Sequence, residues 1–186
     1  GTDGSAACSR IRFARNGVVG SGTVAGETRG MLLRCADNSI IAHNVFDGVD
    51  DFAFYLSVDG GYAGSIEGLR IADNIVVRGR AYSITTSLPK SVSIDHDLVL
   101  PGGSTATYAD RVAYVRGYGN TSSLAEFRSW TGFDAHGIQA RPRFVDRAGG
   151  NYRLQSGSPA IDAGTIAYGE GFVGRAPDIG AYEYTP

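Results

Sequence analysis

A short frame recurs through the first hundred residues, and it constrains the fold more than any other feature of the chain. The stretches IRFARNGVV (Ile11 to Val19), SIIAHNVF (Ser39 to Phe46), LRIADNIVV (Leu69 to Val77) and VSIDHDLVL (Val92 to Leu100) align. Each has an apolar residue three places before an Asn or Asp and another two places after it. The polar members, Asn16, Asn44, Asn74 and Asp97, are spaced 28, 30 and 23 residues apart, within the range of repeat units that stack on one another. Each repeat also holds an earlier segment: GMLLRC from Gly30, AFYLS from Ala53 and AYSITT from Ala81. Met31 with Leu33, Phe54 with Leu56, and Tyr82 with Ile84 alternate at the strand period of two. Strand, turn, strand, Asn corner and third short strand describe one coil of a three-sided solenoid. A single coil cannot bury its own apolar face, so stacking follows.

The corner residue has a physical rationale. Asn tolerates the left-handed backbone, and its amide both donates and accepts, so successive corners can hydrogen-bond along the stack. Asp97 lacks the donors, and the ladder is expected to end there. Cys8 and Cys35 fall near equivalent corners of neighbouring coils. A strand spacing of about 4.8 Å lies within the roughly 4.4 to 6.8 Å Cα separation of a disulfide. A stacked disulfide, and with it an oxidising compartment, is the expectation; two buried thiols are the alternative.

Composition narrows the partners. The formal net charge is -2 and charged residues make up 19% of the chain, so no broad field favours nucleic acid or an anionic membrane. No run approaches the roughly 20 apolar residues of a membrane span. The 27 glycines imply many tight turns. All basic residues except Lys90 are Arg.

The chain reads as one domain over 1–186, with repeat coils over 1–100 and closing coils and a cap over 101–186. A strand pair is expected around Tyr108 to Arg116. Ser123 and Glu126 have capping-box spacing, Leu124, Phe127 and Trp130 follow at helical intervals, and Gly132 supplies a stop. The first coil has no capping helix ahead of it. Its open edge therefore calls for cover by an upstream domain or by a second copy in a homodimer, and the chain reads as a fragment of a longer protein or half of an end-to-end pair.

From Arg143 the sequence runs RFVD, NYRLQSGSPAIDAGT and, at the end, PDIGAYEY. This resembles the C-terminal signature of bacterial right-handed parallel β-helix proteins of the pectate-lyase-like superfamily, and the preceding SLAEFRSWTGFDAHGI resembles what commonly leads into it. The resemblance implies an all-β, right-handed single-stranded parallel β-helix of about four coils, secreted to the extracellular space or periplasm and directed at a polysaccharide. Asp162 and Gly164 of the signature suit a tight corner, and Asp178 and Glu183 are read as hydrogen-bonded in a capping coil rather than catalytic.

In such proteins the resemblance places a site on the outer face of the first sheet of that fold, here the sheet of the GMLLRC, AFYLS and AYSITT strands, and on its bordering loops. Arg34, Tyr55, Ser57, Ser83 and Thr85 are outward strand positions; FDGVDDF adds Asp47, Asp50 and Asp51, and VRGRAY adds Arg78 and Arg80. Asp50, Asp51 and Arg80 are the catalytic candidates. Arg34, Tyr55, Asp47 and Arg78 are the substrate-binding candidates, with Arg suited to uronate carboxylates and Tyr55 to a sugar ring. The carboxylates could alternatively hold Ca2+; no other cofactor is implied.

GVDDF resembles the paired aspartates of polygalacturonase-type hydrolases, and GTDG at Gly1 their NTDG element. The separation is too long and no GHG follows, which counts against an inverting hydrolase. Lys90 and Arg70 are the candidate bases for a lyase. His43, His96 and His136 lack short ligand spacing, so no metal site is read from the sequence. Two functions remain: an enzyme, lyase-like or hydrolase-like, acting on an acidic polysaccharide, and a non-catalytic structural or adhesive module.

Overall fold

The computed structural model describes residues 8–20, 28–58, 64–102, 110–169 and 171–186. GTDG and Tyr108 lie outside them. The described chain is predominantly β, with several parallel sheets and a single α-helix. The first sheet pairs β1 (Arg12–Ala14), β4 (Ile40–Ala42), β7 (Arg70–Ala72) and β10 (Ser93–Asp95) in that order. The second pairs β2 (Gly17–Val19), β5 (Val45–Asp47), β8 (Ile75–Val77), β11 (Leu98–Leu100) and β14 (Ile138–Gln139). The third pairs β3 (Arg29–Leu33), β6 (Phe52–Leu56), β9 (Tyr82–Ile84) and β12 (Ala113–Val115), and ends with β13 (Gly119–Thr121), antiparallel to β12. Each repeat thus gives one strand to each sheet, and repeats layer along the pairing direction.

The register follows the sequence frame. Phe13, Ile41, Ile71 and Ile94 are paired neighbours in the first sheet, and Val18, Phe46, Val76 and Val99 in the second. These two rows meet Phe54, Leu56, Tyr82, Ile84 and Ala113 of the third sheet in one core. Phe54, Tyr82 and Phe127 form an aromatic column, with centroids 6.0 and 4.8 Å apart.

The corner between the first two sheets carries the ladder. The backbone N–H and the side-chain Nδ2 of Asn16 both donate to Asn44 Oδ1 (3.0 and 3.2 Å). Asn44 donates likewise to Asn74 (3.1 and 2.9 Å) and Asn74 to Asp97 (2.7 and 3.0 Å). Two expectations are corrected here. The left-handed residue is the one before each rung, Arg15, His43, Asp73 or His96, with φ between 54 and 59°. The turn is made one residue early, which frees the Asn side chain to point along the stack.

Nor does the ladder end at Asp97. The Asp97 N–H donates to Asp134 Oδ1 at 3.1 Å, and the Tyr82 hydroxyl lies 2.6 Å from Asp97 Oδ2 and 3.2 Å from Asp134 Oδ2. One phenol proton serves only one of these contacts; the other requires a proton on a carboxyl group. Burial, first of all, pushes both acids up, Asp134 to about 6 and Asp97 well above the usual carboxylate range. All three residues are fully buried, so this acid pair belongs to the interior.

The helix α1 (Leu124–Thr131) begins at Ser123, whose side chain accepts the Glu126 N–H, and stops at left-handed Gly132. Its Leu124 and Phe127 close the core. Cys8 and Cys35 meet on neighbouring repeats, as two thiols rather than a disulfide. Cys35 Sγ also accepts the Cys8 backbone N–H at 3.1 Å. The side-chain hydrogen bond to Cys35, followed by burial, pushes the Cys8 thiol up.

The C-terminal segment covers the outer face of the second sheet. Val45, Ile75, Val77 and Leu98 point outward there, and bury against Tyr152, Leu154, Ala160, Ile179 and Ala181. Tyr152 and Leu154 come from the antiparallel pair β15 (Phe144–Asp146) and β16 (Asn151–Leu154). The tail is pinned at the ladder corner: Gly180 N–H donates to the Asp73 carbonyl (2.8 Å), and Thr165 N–H to Asp73 Oδ1 (2.9 Å). Gly180 has φ 104°, and a Cβ there would lie 2.6 Å from Ile75 Cδ1. Asp178 accepts the N–H groups of Asp162 and Tyr184, Asp162 accepts those of Arg175 and Ala176, and Glu183 accepts that of Val173. The signature carboxylates are spent on backbone donors.

Under this tail, His43 Nδ1 faces the Asp178 carbonyl at 3.2 Å and His43 Nε2 lies 3.5 Å from Asp73 Oδ2. Burial pushes both groups toward their neutral forms: His43 falls to about 4 and Asp73 rises to about 7, against the opposing Thr165 hydrogen bond.

Candidate functional site

The third sheet differs from the second on its outer side. Pairing aligns Leu32, Tyr55, Ser83 and Tyr114 across β3, β6, β9 and β12. Their flanking residues face the core, so this row faces out. Ladder bonds continue one residue further, from the N–H groups of Ser57, Thr85 and Arg116 to the carbonyls of Leu33, Leu56 and Ile84. A second outward row results: Arg34, Ser57, Thr85 and Arg116. Ser57 and Ser83 lie buried in the floor between larger neighbours. Thr85 Oγ1 is 3.2 Å from the Tyr55 hydroxyl, and Arg116 donates to the Thr85 carbonyl at 3.2 Å.

Two clefts border this surface. One of about 270 Å³ is lined by Arg29, Gly30, Leu32, Arg34, Asp51, Phe52 and Tyr55. The other, of about 450 Å³, lies at the exit end of the strands and includes Leu88, Arg116, Tyr118 and Phe133. Tyr118 is 60% exposed and stacks on Trp130 at 5.3 Å. Nothing in the repeat signals this second cleft: Tyr118 sits in the turn between β12 and β13, and Phe133 is brought to the sheet only by the chain reversal through α1.

The seven principal candidates do not converge on one place. Asp51, Arg34 and Tyr55 line the smaller cleft. Asp51 is tied to Arg29 at 3.1 Å and to Arg80 at 2.7 Å, and Arg80 also donates to the Asp51 carbonyl and to Asn120. Arg80 is 6% exposed and Asp50 2%. Asp47 and Arg78 belong to a different surface. Asp47 is not in a bordering loop but is the last residue of β5, buried at the edge of the face that the tail covers. Its carboxylate takes Arg78 Nε (2.6 Å), Arg147 (3.1 Å) and the Tyr152 hydroxyl (2.9 Å). Burial, and next the Asp47 hydrogen bond, push Tyr152 up to about 12. Lys90 is exposed near a turn, and Arg70 is exposed in the first sheet.

A further cluster joins residues that sequence spacing separates. Asp95, His96 and His136 present ligand-type atoms within 4.8 Å of one another. The loop carrying His136 is laid on the last repeat by the bonds from Asp134 N–H to the Ile94 carbonyl and from Ile138 N–H to the Asp97 carbonyl. The Asp that continues the ladder is the signal that would have found it.

No family model, curated protein or solved structure matches the chain. Among the described residues no helix is long and apolar enough to cross a membrane. The class defined by the coordinates is a predominantly β protein of several parallel sheets with one short helix.

Proposed function

We propose that the chain is a right-handed parallel β-helix of the pectate-lyase-like kind, exported from the cell, and that it binds an acidic polysaccharide along the outer face of the third sheet. The observation that carries the reading is the pair of registered outward rows. Tyr55 and Tyr114 supply aromatic rings, Thr85 a hydroxyl, and Arg34 and Arg116 guanidinium groups at the two ends of one line, over a floor of small Ser57 and Ser83. Guanidinium forks match carboxylates, and aromatic side chains offer a flat apolar surface with a polar tip. A row repeated at the strand spacing suits an extended polymer.

Binding is favoured over cleavage by the state of the acids. For Asp51 to act as acid or base it would have to leave both Arg29 and Arg80, and Ca2+ at Asp47 would have to displace Arg78, Arg147 and Tyr152. Calorimetric titration with oligogalacturonate, run beside an absorbance assay for unsaturated products, tests the reading. Binding without product is expected, and Arg34→Gln with Arg116→Gln should weaken it at least tenfold, about 1.4 kcal/mol. No binding to any uronate polymer, or binding indifferent to the double substitution, overturns it. Product formation would return the enzyme reading to first place.

A further inference from the structure

The geometry points to a site for one divalent transition-metal ion, with Zn2+ the best match, formed by Asp95, His96 and His136. In the outward row of the first sheet, three repeats carry Ala (Ala14, Ala42 and Ala72) where the fourth carries Asp95. His96 occupies the left-handed corner position next to it, and His136 sits one layer above, its ring stacked on His96 at 4.6 Å and 19°.

The carboxylate is oriented by the main chain. Asp95 Oδ1 accepts the backbone N–H groups of His96 (3.0 Å) and His136 (2.8 Å). That leaves Oδ2 directed at both imidazoles, 2.8 Å from His136 Nδ1 and 3.4 Å from His96 Nδ1. Zinc bonds of about 2.1 Å in tetrahedral geometry place neighbouring ligand atoms roughly 3.4 Å apart; the two carboxylate–imidazole edges, 2.8 and 3.4 Å, lie near that value, and all three ligand atoms lie within 4.8 Å of one another, so a turn of the exposed His136 ring out of its stack on His96 brings both nitrogens onto one ion. Two imidazoles and one carboxylate suit first-row transition ions, whereas Ca2+ and Mg2+ favour all-oxygen shells. Outer-sphere hydrogen bonds that fix a ligand's orientation are a regular feature of metal sites, and Asp95 Oδ1 has two. The His136 side chain is 66% exposed, so an ion can enter from solvent.

The test uses the full chain stripped with chelator and titrated with ZnCl2. One equivalent is expected to bind, with Ca2+ and Mg2+ failing to compete. His136→Ala and Asp95→Asn should each weaken binding at least about tenfold. Asn retains the oxygen that accepts the two N–H groups, and His136→Ala truncates an exposed side chain, so metal-free melting should stay close to the parent protein. In the unsubstituted protein, the ring nitrogen resonances of His96 and His136, but not of buried His43, should shift on adding Zn2+. Absence of stoichiometric binding, or one equivalent retained by His136→Ala with both sets of resonances unmoved, overturns the site.

Discussion

The outer faces of the second and third sheets share strand geometry and differ in what they point outward. On the second, Val45, Ile75 and Leu98 make an apolar stripe, and the C-terminal segment buries it. On the third, Leu32, Tyr55, Ser83 and Tyr114 make a mixed stripe that stays at the surface, with Leu32 54% exposed. Backbone pairing alone does not decide which side of a sheet becomes core and which becomes surface. The outward row decides it, because burying the Arg34 or Arg116 guanidinium under another segment would strip a charged group of solvent, whereas burying Ile75 gains roughly 1.5 to 3 kcal/mol.

Substitutions can break or sharpen this contrast. The largest effect is expected for Ile75→Ala, about 3 kcal/mol lost in urea unfolding, since the site is enclosed by both sheet and tail. Gly180→Ala should cost about 2 kcal/mol, from a side chain forced into a left-handed backbone position and pressed against Ile75. A loss below about 0.5 kcal/mol in either would mean that the tail is not seated there. Leu32→Ala, the outward counterpart on the open face, should change stability by about 0.5 kcal/mol or less.

The covered side should also carry a pH signature. Asp73 has a folded pKa of about 7, above its unfolded value, so the folded chain keeps a proton that the unfolded chain gives up. Its contribution is therefore lost as pH rises from about 4 through 7, and is flat beyond. Asp134, at about 6, acts in the same direction. His43, lowered to about 4, acts oppositely and adds stability as pH rises from about 4 to 6.5. Asp73→Asn keeps the acceptor for Thr165 and removes the first contribution. Its melting temperature relative to the parent should therefore climb between pH 5 and 7 and then level off; a difference independent of pH would show that Asp73 is ionised in the folded protein.

Much of the layering was legible in the sequence, because the Asn frame and the period of two are local patterns that fix register. What was illegible depended on contacts across long separations. The face chosen by the tail is set by Ile75 and Gly180 meeting, and neither residue signals the other. The fifth rung, Asp134, follows Asp97 at a separation with no repeat around it, so the ladder looked finished. Strand spacing brings Cys8 and Cys35 together, but it does not set their oxidation state. Arg34, Tyr55, Ser83 and Thr85 share a face because strand alternation sets it, whereas Asp47 and Arg78, close to them in sequence, lie on a surface from which the corner separates them.

The contrast between the two faces is tested most directly by aromatic NMR of tyrosine-labelled protein titrated with oligogalacturonate. Tyr55 and Tyr114 should shift together with saturating ligand, while Tyr152 in the covering segment and Tyr82 in the core stay in place. Shifts confined to Tyr152, or no shift at Tyr55 and Tyr114 when ligand is bound, would contradict it.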